Sequence, residues 1–123
     1  MIENDIVPEN VYTPKMVENY SVYEVFKFIR RRPEQVVGRR DLTDIYIFLK
    51  GYFSCYNDLT NKKEVALPGF QEFIQTKFQE GPGQNWARII TNNSEDKDVF
   101  TVFFELVHEF YEGKEVPKGL NID

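Results

Sequence analysis

The sequence predicts an all-α protein, a compact single-domain bundle of about five helices around a central C-terminal helix, preceded by an extended N-terminal arm. The strongest observation is the run Val99 to Tyr111. At about 100° per residue, its apolar members (Val99, Phe100, Val102, Phe103, Phe104, Leu106, Val107, Phe110 and Tyr111) fill roughly 200° of a helix circumference. Asp98, Thr101, Glu105, His108, Glu109 and Glu112 fill the remaining arc. A strand would instead alternate every second residue. A second observation is that similar helical spacing recurs upstream, bounded by caps and breakers. A third is that no pair of alternating segments reads as a hairpin. So apolar a helix must be enclosed by others, which places it at the centre of the domain.

The remaining elements follow in chain order. Residues 1–19 lack helical periodicity, contain Pro8 and Pro14, and read as an arm; Ile6-Val7 or Val11-Tyr12 are its best candidates for a short strand. Ser21-Val22-Tyr23-Glu24 has the spacing of a capping box, in which Ser and Glu each satisfy a free backbone donor. The helix it opens carries Val22, Val25, Phe26 and Ile29 on one face, and Pro33 stops it near Arg32. The connector Pro33 to Arg40 contains Gly38, suited to a turn with positive φ.

Asp41 is the expected N-cap of a second helix running to about Tyr56. Leu42, Ile45, Phe48, Leu49, Tyr52, Phe53 and Tyr56 share one half of it. Ile47 instead falls in the polar half near Gly51, a pairing that predicts another element approaching there, by internal helix packing ahead of a partner contact. Residues 57–67 read as a polar loop. Pro68 suits the first turn of a third helix, where its missing N–H costs nothing, with Phe70, Phe73, Ile74 and Phe78 buried. Gly81-Pro82-Gly83 ends it. A short fourth helix from about Gln84 to Thr91 presents Trp86, Ile89 and Ile90. Ser94 is the expected cap of the last helix, with Glu95 and Asp96 favourable in its first turn. Gly113 stops that helix. The domain thus spans 20–115, with a polar tail at 116–123.

Composition excludes several function classes. The 123 residues fit one domain, and with 41% apolar and 15% aromatic residues the chain is globular rather than disordered. Its net charge of −5 disfavours nucleic acid as the main partner. Cys55 is the single cysteine, which leaves no intrachain disulfide and suggests a reducing compartment; its position predicts a buried thiol. The opening Met1-Ile2-Glu3-Asn4-Asp5 has neither the basic nor the apolar region of a signal peptide. No stretch approaches the ~18 consecutive apolar residues of a membrane span. The expectation is a cytoplasmic protein with no membrane partner.

No arrangement of residues predicts catalysis, a cofactor or a metal. His108 is the sole histidine. Glu105-x-x-His108 is half of a di-iron pattern without its second copy. His108-Glu109-x-x-Glu112 is a zinc-type spacing without its second histidine. Cys55 has no adjacent base, and no Gly-rich phosphate loop is present. The sequence therefore reads as a non-enzyme.

Charge distribution is more informative. Residues 30–40 hold Arg30, Arg31, Arg32, Arg39 and Arg40 against Glu34 alone, whereas residues 94–115 hold seven acids and two lysines. Such separation can steer association with an oppositely charged surface. Read structurally, the arginines satisfy helix-terminal carbonyls and the acids keep the surface soluble.

Several landmarks recur in order: Phe28-Ile29, Arg32-Pro33, Gly38, Leu42, Phe48-Leu49, Gly51-Tyr52, Phe70, Phe73-Ile74, Lys77-Phe78, Trp86, Ile89-Ile90, Phe103-Phe104-Glu105-Leu106 and Glu109-Phe110. In this combination, over Phe28 to Phe110, the chain resembles small bacterial immunity proteins encoded beside polymorphic or contact-dependent toxins, a family with many uncharacterised members. It departs from that pattern at Val36, where an aromatic is expected, and in its longer arm. The resemblance implies a helical fold, no catalytic residue, and a cognate protein toxin as partner. Many such toxins are basic nucleases, and an acidic helix face can compete for the field that attracts phosphate to their active sites.

The leading expectation is therefore an immunity protein that neutralises its toxin by occlusion through Asp98, Thr101, Glu105, His108, Glu109 and Glu112. An exposed aromatic would anchor the contact. The alternatives are a nucleic-acid-binding module using the Arg30–Arg40 segment and a small helical adaptor binding a host protein. Ile47 and the many tyrosines leave room for either a monomer or a weak dimer.

Overall fold

The structure, a computed structural model, describes residues 21–122. The arm and its two possible strands lie outside the described residues. Within them the protein is all-helical. A 3₁₀ turn at Val22–Glu24 leads into α1 (Val25–Arg31), α2 (Pro33–Val37), α3 (Leu42–Thr60), α4 (Phe70–Phe78), α5 (Trp86–Asn92) and α6 (Val99–Tyr111). There are thus six α-helices rather than five, because the expected Pro33–Arg40 connector contains α2.

Pro33 both stops α1 and starts α2. Arg32, at φ −149° and ψ 74°, is non-helical, and Pro33 then sits in the first turn of the next helix. Gly38 closes α2 with φ 87°, a conformation that a side chain would strain. At the chain's first described residue, Ser21 accepts from the Tyr23 N–H. The Glu24 side chain does not complete a capping box; it pairs with Lys27 at 2.6 Å.

Asp41 caps α3 as expected, accepting from the N–H groups of Thr43 (2.9 Å) and Asp44 (3.2 Å). The helix runs one turn beyond Tyr56 and ends where Asn61 turns left-handed at φ 58°. The Asn57 side chain then fastens the following loop, donating to the Glu64 carbonyl and accepting from the Glu64 N–H, each at 2.9 Å. Pro68 lies outside α4, whose N-cap is Gly69 at φ 86°.

The cap of α6 differs from the sequence expectation. Asp98, not Ser94, accepts from the Thr101 N–H at 3.0 Å. Ser94 is buried and donates back to the Ile90 carbonyl at the end of α5 (2.7 Å), which occupies its hydroxyl. Glu95 and Asp96 consequently precede α6 instead of forming its first turn.

The core centres on aromatic rings from four helices. Trp86 of α5 lies 5.1 Å from Phe103 of α6, nearly parallel at 8°. It also meets Phe70 of α4 and Tyr46 of α3 edge-on, each at 5.3 Å. Short α5 is therefore the hub that α3, α4 and α6 share. Of the 13 residues of α6, seven are buried, all from the predicted apolar arc.

Two expectations about α3 fail together. Ile47 is 67% exposed, nothing lies within 4 Å of where a Cβ on Gly51 would stand, and Cys55 is exposed. No helix of the described residues packs there; the core uses the side of α3 defined by Ile45, Leu49, Phe53 and Tyr56.

The C-terminal tail is less polar in its role than in its composition. Leu120 is buried, and Val116 and Ile122 pack against the core. Ser21 Oγ donates to the Lys118 carbonyl, so the first described residue is tied to the C-terminal tail.

Candidate functional site

The basic segment and the acidic strip, separate in the sequence, meet in the structure. Arg40 forms a two-pronged pair with Asp98, its Nε and Nη2 each donating at 2.8 Å to one carboxylate oxygen. Fork-to-carboxylate geometry of this kind is the strongest form of ion pair. The Arg40 Nη1 also reaches Glu34 at 3.4 Å. The guanidinium stands 5.1 Å over the Phe100 ring, and that of Arg30 stands 5.0 Å over Phe104. Arg30 also donates to the Asn121 carbonyl at 3.2 Å. Two arginines thus cover the aromatic edge of α6 where it reaches the surface.

Between them lies a groove of about 580 Å³. Arg30, Arg40, Asp98, Phe100, Thr101, Phe104, Glu105 and His108 line it, together with Ile122 of the tail. Four of the six nominated acidic-face residues therefore line one concavity, together with two from the alternative basic set.

Their availability differs. Asp98 is committed twice, to Arg40 and as the cap of α6, and its bond to Arg40 is the main force holding its carboxyl down at about 2, assisted by Thr101. Thr101 Oγ1 donates to the same carboxylate at 3.0 Å. Glu109 faces away from the groove toward α4 and pairs with Lys77 at 2.8 Å. Glu105, His108 and Glu112 are exposed and form no side-chain bond among the described residues. Glu112 sits at the C-cap of α6, the negative end of the helix dipole, where a carboxylate is disfavoured.

The remaining arginines divide similarly. Arg39 is bound by Asp44 at 2.6 Å and Asp41 at 3.6 Å. Arg31 and Arg32 are exposed and form no ion pair among the described residues. The segment 30–40 is thus chiefly a set of internal fastenings: three of its five arginines are held by carboxylates or an aromatic ring.

A larger groove, of about 1050 Å³, was not anticipated by the sequence reading. It runs between α3, the 62–69 loop, α4 and residues 82–86, and its lining includes Lys50, Asp58, Val65, Gln71, Glu72 and Trp86. The missed signal is Val65, an apolar residue in a polar loop that is 60% exposed at this groove. Its carbonyl accepts from the buried Tyr23 hydroxyl at 2.6 Å, and that oxygen accepts from the Leu67 N–H at 3.1 Å. One tyrosine from the start of the domain therefore fixes the loop edge of the groove. Burial pushes the Tyr23 hydroxyl up from its ordinary pKa, against the opposing effect of the Leu67 bond.

Both grooves combine charged and apolar lining residues. Among the described residues no group of three or more His, Cys, Asp or Glu side chains is gathered to hold a metal, and no helix is long and apolar enough to cross a membrane. An exposed aromatic of the kind expected for an anchor is present at Phe28 on α1, 60% exposed. No known protein family, curated protein or solved structure matches the chain.

Proposed function

We propose that the protein is an immunity protein that binds a cognate toxin and blocks it by occlusion, using the outward face of α6 and the groove beside it. The observation that carries this reading is the state of the acids on that face. Asp98 and Glu109 are bonded within the fold. Glu105 and Glu112 project without a partner among the described residues, and Glu112 does so where the helix end opposes negative charge. Folding gains nothing from that placement, whereas a basic partner would. The other side of α6 is clamped into the core through Phe103 and Trp86, so the acids stand on a rigid support. Negative groups fixed in this way raise the encounter rate with a positive surface, and the phosphate-attracting cleft of a nuclease is such a surface.

The nucleic-acid alternative draws less support, because Arg39 and Arg40 are already engaged by carboxylates. The adaptor alternative predicts the same kind of surface with a different partner.

The deciding experiment is co-expression with the toxic polypeptide encoded by the neighbouring gene, followed by purification of the pair. The expected result is restored growth and a stable complex. Unrelieved toxicity, or no complex at micromolar concentrations, removes the immunity reading. A complex with a host protein instead would establish the adaptor.

A further inference from the structure

The longest described helix, α3, carries a second apolar line that the other described residues leave bare. Ile47, Gly51, Cys55 and Leu59 recur every four residues and are all exposed. Ile47 and Leu59 are 67% and 71% exposed. Residues at this spacing form the continuous ridge by which helices most often pack on one another. We propose that this ridge is the interface of a homodimer, in which a second copy of the chain lays its own α3 antiparallel across it.

The sequence of the ridge is complementary to itself in that direction. A two-fold axis at the level of Phe53 sets Ile47 against the second copy's Leu59, and Gly51 against the second copy's Cys55, with both pairings repeated by symmetry. Nothing lies within 4 Å of a Cβ placed on Gly51, so the backbones are free to approach at the ridge centre.

Charge selects the same orientation. Lys50 and Asp58 flank the ridge and are exposed, and the antiparallel pairing brings each within about one helical turn of the other's counterpart in the second copy. A parallel pair would set Lys50 against Lys50 and Asp58 against Asp58. Among the described residues Asp58 forms no ion pair, and the Lys50 ammonium rests on the ring one turn back, 5.5 Å over Tyr46. A single pair of helices covers less than the ~800 Å² per partner of a standard interface, so the expected dimer is reversible. This inference does not depend on the function proposed for α6.

The test is the mass of the full-length chain by sedimentation or light scattering, from low micromolar to near-millimolar concentration. The expected mass rises with concentration from 14.6 kDa toward twice that value. Ile47→Glu and Leu59→Glu should each hold it at the monomer with an unchanged helical spectrum. Lys50→Asp should weaken association at least tenfold, and adding Asp58→Lys to the same chain should restore it. Under mild oxidation Gly51→Cys should form a disulfide-linked dimer through Cys55, faster than a control cysteine in place of Lys27. A chain that stays monomeric throughout overturns the proposal. A dimer indifferent to Ile47→Glu and Leu59→Glu also overturns it. If only a chain lacking residues 1–20 dimerises, the proposal falls in favour of intramolecular cover.

Discussion

The two longest helices solve the same problem differently. Both α3 and α6 bury an aromatic-rich side, and both begin at an aspartate cap. Around the rest of its circumference α6 is polar, with two acids bonded and the others presented to solvent. The outer surface of α3 is instead split, with Lys50, Ser54 and Asp58 on one part and the bare line of Ile47, Gly51, Cys55 and Leu59 on another. A helix whose outer face is charged is complete as a soluble surface. One with an apolar ridge outside has more hydrophobic area than the described residues cover. The comparison separates residues that hold the fold from residues whose use lies outside it.

The largest effect should come from the inner side of α6. Phe103 is fully buried, stacked on Trp86 and edge-on to Phe70 and Phe104. Phe103→Ala should cost about 3–5 kcal/mol, a large part of the stability of a domain this size. Ile47→Ala on α3 should change monomer stability by less than ~0.5 kcal/mol. Urea unfolding of both variants at low protein concentration measures the contrast. Similar losses would mean that the ridge on α3 is covered after all.

The two caps provide a finer comparison. Asp41 accepts from Thr43 and Asp44 and has only a long 3.6 Å contact with Arg39, whereas Asp98 adds the two-pronged fork to Arg40. Losing a cap costs about 1 kcal/mol, and a half-exposed ion pair adds up to ~1 kcal/mol. Asp98→Ala should therefore cost about 1–2 kcal/mol, more than Asp41→Ala. The pH dependence has a definite sign. The Asp98 carboxyl is held at about 2 in the folded protein, so its contribution is present above the ordinary carboxylate pKa of about 4 and is lost as pH falls toward 2. Asp98→Asn should flatten that acid limb in a pH-stability scan. An unchanged acid limb would show that Arg40 does not hold the carboxylate in solution.

This arrangement also shows what could be read from the residues alone. The partition of α6 was legible because a 3.6-residue period and an arc of apolar side chains are local properties. The Asp41 cap and the positive φ of Gly38 were legible for the same reason. Ser94 was misassigned because Ser and Asp are both good caps, and the choice turned on α5 running long enough for Ser94 to bond back to Ile90. The short α2 was hidden because Pro33 stops one helix and starts another. The pairing of Arg40 with Asp98 spans 58 residues, a relation no local pattern encodes. The larger groove was missed for that reason too, being assembled from a loop, two helices and a distant tyrosine.

A smaller effect should arise at the end of α6. Tyr111 is buried, and its hydroxyl has no hydrogen-bond partner among the described residues. Burial, with a lesser effect from Tyr23, pushes it up to about 12. An acid whose folded pKa is raised resists ionisation that the unfolded chain undergoes, so stability should fall as pH rises from about 10 toward 12. Tyr111→Phe removes an unsatisfied hydroxyl while keeping the ring against Phe110. It should stabilise the protein by about 1 kcal/mol and shallow the alkaline limb, as thermal unfolding at neutral and alkaline pH would show. Destabilisation would reveal that the hydroxyl has a bonding partner.

The smallest effect on stability should be at Glu105 and Glu112, and their value to the comparison lies in that smallness. Neither bonds to another side chain among the described residues, so Glu105→Lys and Glu112→Lys should each move the unfolding midpoint by less than the equivalent of ~0.5 kcal/mol. Glu112→Lys should fall on the stabilising side, since a cation suits the C-terminal end of a helix. Against a basic partner the same two changes should slow association several-fold and reduce its dependence on salt. Glu109→Lys is the internal control, because it also breaks the pair with Lys77 and should cost stability that the other two do not. If all three lower stability alike and leave association untouched, the outer face of α6 serves the fold in the same way as its inner face.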